Sequence, residues 1–122
     1  MELNDYQREA RKTAVFPKGD IIVEQTGIHV SLGSVYCALK LGGEGGEYSE
    51  KLGKLIRGDY LTDEEQKMAR HARMMELGDI MWYVANAAEQ EGYTLEEIAK
   101  ANLQKLADRQ SRGVLKGSGD KR

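Results

Sequence analysis

The sequence predicts an all-α chain, a bundle of four helices. Three observations carry that prediction. Its 122 residues hold a single proline and are rich in the good helix formers Ala, Leu, Glu, Lys, Arg and Met. Apolar residues recur at helical rather than strand spacing through two long central segments. Thr62-Asp63-Glu64-Glu65 and Thr94-Leu95-Glu96-Glu97 both read as capping boxes, a hydroxyl followed three residues later by Glu. Fourteen glycines cut against helix, so their positions matter.

The first helix reads from Leu3 to Phe16, with Asn4 or Asp5 as cap and Pro17 and Gly19 as stop. Gln7, on this helix, reads from its surroundings as a solvated side chain. Residues 18–27, with the apolar pair Ile21-Ile22, read as a loop or short 3₁₀ turn placed to line a pocket. A long second helix is expected from about His29 to Arg57, burying Val30, Val35, Ala38, Leu41, Leu52 and Leu55. The third should run from the Thr62 cap to about Glu91, with Gly92 as its C-cap and Met68, Ala72, Met75, Ile80, Val84 and Ala87 inward. The methionines at 68, 74, 75 and 81 read as packing residues. The fourth runs to about Arg109 with Ile98, Leu103 and Leu106 inward. Beyond Arg112-Gly113, composition reads as a flexible polar tail.

The length fits one domain, residues 1–122, with 112–122 as a basic tail. No apolar run is long enough to span a bilayer, and the first residues lack a signal-peptide pattern. Cys37 stands alone, so it reads as a small buried residue of a reducing cytoplasm. The net charge of −2 conceals an asymmetry: residues 105–122 carry six basic and two acidic side chains, the remainder twelve basic and eighteen acidic. That distribution suits a metal-bound polyanion, the metal on the acidic body and phosphates reached by the basic end. An acidic body without basic helices interleaved with aromatics disfavours nucleic acid as a partner, and nothing suggests a membrane.

The most specific signal is a pair of carboxylate pairs. Glu44 and Glu47 sit within Gly42-Gly43-Glu44-Gly45-Gly46-Glu47, and Glu76 and Asp79 come about thirty residues later. On a helix, residues three apart share a face at roughly 5–6 Å. Both pairs are centred on the Leu61–Thr62 turn region, so an antiparallel hairpin brings all four to one level. Four facing carboxylates repel unless a counter-charge joins them, and a hard divalent cation, Mg²⁺ before Ca²⁺ or Mn²⁺, is the simplest one. The four glycines cost a helix roughly 4 kcal/mol relative to Ala, which close approach of a helix or ligand would offset. Alternatively residues 42–46 form a loop, which the carboxylate spacing argues against. A di-iron centre would want Glu-x-x-His pairs, and neither His29 nor His71 lies three residues after a Glu. Both histidines read as surface residues. No P-loop or nucleophile motif is present.

These motifs resemble the MazG-like all-α nucleoside triphosphate pyrophosphohydrolases, whose pattern is Glu-x-x-Glu, a spacer, then Glu-x-x-Asp. The resemblance covers nearly the whole chain. It runs through Leu3-Asn4-Asp5-Tyr6-Gln7, Gly43 to Glu47 with Lys51, Glu76 to Tyr83, Asn102-Leu103-Gln104-Lys105-Leu106, and Arg112-Gly113 with Gly117-Ser118-Gly119-Asp120. Compact members with this ending recur in phages and bacteria, which implies the cytoplasm of a bacterium or a phage-infected host. Gly43 departs from the doubled Glu of many members, so a base role for that extra Glu does not transfer; Glu50, one turn beyond Glu47, reads either as a substitute or as only a partner for a nearby Lys.

The resemblance implies hydrolysis of a nucleoside triphosphate to the monophosphate and pyrophosphate. Mg²⁺, with Mn²⁺ as a substitute, would be held by Glu44, Glu47, Glu76 and Asp79, and would activate a water for attack at the α-phosphorus. Lys105 and Arg109, one turn apart, would neutralise the leaving pyrophosphate, with Lys51 behind them. Gln7, Asn102, Arg112 and Lys116 join the implied substrate contacts, the last two in a tail expected to close over the nucleotide. Tyr83, four residues after Asp79, would meet the base or sugar. Trp82, about 100° round the helix, reads as core or subunit interface. A non-catalytic nucleotide-binding module of the same fold is the alternative. Apolar residues beyond one stripe on the long helices, together with the resemblance, imply a homo-oligomer, dimer or tetramer.

Overall fold

The computed structural model describes residues 1–117 and 119. The elements run α1 (Leu3–Lys12), β1 (Asp20–Ile22), β2 (His29–Ser31), α2 (Leu32–Arg57), α3 (Asp63–Glu91) and α4 (Leu95–Ser111). The fold is the expected all-α one, with a small two-stranded sheet added between α1 and α2. No helix among the described residues is long and apolar enough to cross a membrane.

The α2–α3 hairpin is the frame. Gly58 ends α2 in the left-handed region at φ 86°, a conformation that favours glycine, and the Arg57 guanidinium clasps Asp59 just beyond it. Thr62 then caps α3, its hydroxyl accepting from the Glu65 N–H at 3.1 Å. Gly92 closes α3 at φ 80°, and Thr94 with Glu97 forms a complete capping box that opens α4. Helix α1 lies along α3, and α4 touches both.

Part of the core lies where α1 and α3 meet the turn into α4. Ala10, Ala85 and Ala88 are buried there together with two amides, Gln7 and Asn86. Gln7 Nε2 donates to the Tyr93 and Ala85 carbonyls, and its Oε1 accepts from the Leu95 N–H at 2.9 Å. The amide therefore ties α1 to the turn between α3 and α4. It is not solvated as its local sequence suggests, because its partners lie 78 to 88 residues away.

Several boundaries differ from expectation. Helix α1 stops at Lys12, not Phe16: the Thr13 hydroxyl donates to the Ala10 carbonyl and the chain leaves the helix. Residues 18–27 are not simply loop. Asp20, Ile21 and Ile22 pair antiparallel with Ser31, Val30 and His29, joined by a turn in which the Gly27 N–H donates to the Val23 carbonyl. His29 thus belongs to β2, 3.2 Å from the Asp20 carboxylate, and α2 begins after Ser31, whose hydroxyl caps the Ser34 N–H.

The expected inward stripes are only partly covered. Met68, Met75 and Leu103 are 65 %, 56 % and 67 % exposed, and Ala38, Ile98 and Leu106 are also exposed. Helices of 26 and 29 residues outrun the short helices available to cover them. Nor does any described residue approach the glycine run: a Cβ at Gly42, Gly43, Gly45 or Gly46 would meet nothing within 4 Å.

Candidate metal centre

Helix α2 supplies Glu44 and Glu47, and α3 supplies Glu76 and Asp79. Folding the hairpin brings one oxygen each of Glu44, Glu47 and Glu76 within 4.8 Å of one another. Glu44 and Glu76 are buried between the helices and Glu47 is exposed at the rim. Asp79 lies outside this trio but faces Glu44 across a recess of about 400 Å³ that both line. Burial, then the negative charges of Glu47 and Asp79, push the Glu44 carboxyl above the usual carboxylate range; Lys40 pulls it partly back.

Among the described residues, neither Glu44 Oε2 nor Glu76 Oε2 has a hydrogen-bond partner, although both atoms are buried. Buried carboxylate oxygens are normally paired or bound to a metal. Lys51 Nζ lies 3.2 Å from Glu76 Oε1 and offsets part of the charge. Hard oxygen donors converging from two rigid helices, two of them without partners, fit a hard divalent cation.

The lining of the recess is partly aromatic. Thr13, Trp82 and Tyr83 complete its lining. Trp82 and Tyr83 meet edge to face at 4.8 Å and 83°, backed by Phe16 and Tyr36. Trp82 is therefore half-buried beside the carboxylates, not sequestered in a core. Burial, then a hydrogen bond with Tyr36, push the Tyr83 hydroxyl up to about 12, so it stays neutral near pH 7. Tyr6 is also raised, by burial and then by the charge of Asp79.

The other sequence-predicted residues do not gather here. Gln7 is committed to the junction described above. Asn102 and Lys105 line a separate groove of about 630 Å³ with Tyr93, Glu97 and Ile98. Arg109 is buried on α4 and donates from Nη2 to the Gly119 carbonyl at 3.3 Å. Val114 N–H donates to the Arg109 carbonyl, so the first part of the tail folds back on α4. Arg112 pairs with Asp108 and Lys116 is exposed. Ser118, Asp120, Lys121 and Arg122 of the tail lie outside the described residues.

Sequence reasoning missed Thr13, Phe16, Tyr36 and Lys40. Only Lys40 had a local signal, standing one turn before Glu44 on the same helix. Thr13 reaches Trp82 across 69 residues, which no spacing rule reveals.

A helical hairpin that gathers carboxylates beside an aromatic recess makes this an all-α protein with a candidate metal centre. Residues 37–114 match the MazG nucleotide pyrophosphohydrolase domain, and the chain belongs to that family. Over 124 residues it is 38% identical to the "Gene 37 protein" of Mycobacterium phage L5, with both chains covered in full. No solved structure matches it.

Proposed function

We propose that this protein hydrolyses nucleoside triphosphates, ribo or deoxyribo, at the α–β phosphoanhydride bond, releasing the monophosphate and pyrophosphate for nucleotide-pool control. One observation carries the reading: buried, unpartnered oxygens of Glu44 and Glu76 converge with Glu47 in a chain of the MazG family. Glu44, Glu47 and Glu76 would hold Mg²⁺, or Mn²⁺ in its place, with Asp79 completing the set. A cation held there neutralises phosphate charge and lowers the pKa of a coordinated water. Lys51, at the rim on Glu76, supplies positive charge toward the phosphates.

We further infer that the working unit is a homo-oligomer. Met74, Leu77 and Met81 form one exposed stripe along α3, spaced three and four residues apart. Asn102 and Lys105 line a groove on α4 separate from the recess that Glu44 and Asp79 line in the same chain. A role for them on the phosphates is then played across subunits. Similarity to a phage protein supports an infected bacterial cytoplasm as the setting of this activity.

Product analysis with a panel of triphosphates and MgCl₂ tests the reaction. Monophosphate and pyrophosphate are expected; diphosphate and orthophosphate would refute it. Glu47→Gln and Asp79→Asn should each lower turnover by at least about a hundredfold while the helical far-UV signal is retained. Wild-type turnover in both variants would remove the carboxylates from the chemistry.

A further inference from the structure

The lining of the recess beside the carboxylates is of two chemical kinds. Glu44 and Asp79 give it anionic groups, Trp82 and Tyr83 aromatic rings, and Thr13 a hydroxyl. A nucleotide has the matching pair of parts, an anionic end that binds through a cation and a flat aromatic end. We propose that Trp82 is the stacking wall for the nucleobase and that Thr13 is a positioning residue that sets the plane of its indole. This rests on the reading of the preceding subsection, because it presumes that the phosphates lie at the carboxylates.

The indole is held before any ligand arrives. Trp82 Nε1 donates to Thr13 Oγ1 at 2.8 Å, and the Thr13 hydroxyl donates onward to the Ala10 carbonyl at 3.1 Å. The Asn86 amide donates to that same carbonyl and to the Trp82 carbonyl. The chain of bonds therefore joins the end of α1 to two successive turns of α3. Tyr83 and Phe16 meet the indole in T-shaped contacts, with centroids 4.8 and 5.9 Å away, which restricts its rotation further. A wall fixed in this way loses little freedom when it binds.

The bonding also says what kind of recognition to expect. The indole N–H is spent on Thr13, so the ring has no donor left for a ligand, and what it brings to the recess is aromatic surface. Stacking on a π-face accepts every base. The recess, about 400 Å³, lies within the range of small-molecule sites. Recognition through Trp82 is therefore recognition of an aromatic base as such, with little discrimination among bases from this wall.

Trp82 is the chain's single tryptophan, so its fluorescence reports this wall alone. The probes are AMP and CMP, with ribose 5-phosphate and pyrophosphate as controls that lack a base, all in MgCl₂. Both monophosphates are expected to quench Trp82 saturably and the controls are not. Thr13→Val should weaken AMP binding and raise KM for a hydrolysed triphosphate several-fold, with kcat nearly unchanged, and Thr13→Ser should restore both. Trp82→Leu should raise KM by about 5- to 150-fold. The Thr13 pair keeps the test open should Trp82→Leu fail to fold. Hydrolysis without any change in Trp82 emission would overturn this inference and leave the proposed reaction standing. Base-dependent quenching without hydrolysis would do the reverse. Equal quenching by ribose 5-phosphate would also overturn it.

Discussion

The two ends of the α2–α3 hairpin are built on opposite terms. At the end where α1 and α4 pack, the chain closes its own core: Ala85 is 0 % and Asn86 1 % exposed, and the Gln7 amide ties three helices together. At the turn end, Ile56 and Leu61 are 81 % and 83 % exposed, with the methionines of α3 close behind. One end buries small residues and amides whose bonds are made inside the chain, while Tyr93 and Leu103 at its outer side stay exposed. The other shows large apolar side chains that none of the described residues covers, as surfaces that meet another protein do. The carboxylate centre lies between them. Closed packing and uncovered apolar surface thus lie along the same two helices.

The largest effect should come from charging the exposed apolar stripe of α3 that runs from the open end past Asp79. Leu77→Glu combined with Met81→Glu puts two carboxylates on the exposed stripe of α3. Wild type should sediment as a species heavier than 13.6 kDa at micromolar concentration, and the double variant as the single chain with its helical signal kept. A wild-type monomer would break the comparison, since the open end would then be a solvated face.

The closed end should answer in stability instead. Gln7→Ala strips partners from the Leu95 N–H and from two carbonyls. Leaving buried backbone groups unpaired should cost about 2–3 kcal/mol, read by urea denaturation, without changing the sedimenting species at low denaturant. A change below about 0.5 kcal/mol would show that water replaces the amide freely and that this end is not closed.

Legibility in the sequence divides along the same line. The mirrored carboxylate spacing, the Thr62 and Thr94 caps and the Gly92 stop are local patterns, and they locate α3, the start of α4 and three converging Glu residues. Gln7 and Thr13 were not legible, because a polar side chain shows its partner only after distant segments meet. The strand pair escaped because three-residue strands, one of them wholly exposed, show no alternation to read. The apolar stripes were recognised as apolar correctly, but periodicity does not say whether the covering surface belongs to the same chain.

Between the two ends, the centre should respond to pH. Glu44 has a folded-state pKa above its ordinary 4.5, raised first by burial and then by Glu47 and Asp79. The folded state thus binds that proton more tightly than the unfolded state does. Its contribution to stability is complete below the unfolded pKa and is lost as pH rises through the folded one. In EDTA, acidification from neutral pH should raise the melting temperature of wild type relative to Glu44→Gln. Added Mg²⁺ should stabilise wild type most at neutral pH, where no proton competes. An identical pH profile for the two proteins would place Glu44 in an ordinary solvated setting.

The smallest effect concerns the glycine run, which belongs to neither end by inspection. Gly42 lies in the interior of α2 with open space where a Cβ would stand. Nothing among the described residues then requires glycine, and alanine restricts the unfolded chain more. Gly42→Ala should stabilise the protein by about 0.4–1 kcal/mol, seen as a small rise in denaturation midpoint with unchanged sedimentation. A loss of stability, or a shift toward the single chain, would mean that a surface outside this chain lies against the bare backbone. The glycines would then belong with the open stripe of α3, and their helix penalty would be offset by close approach in the assembly rather than within one subunit.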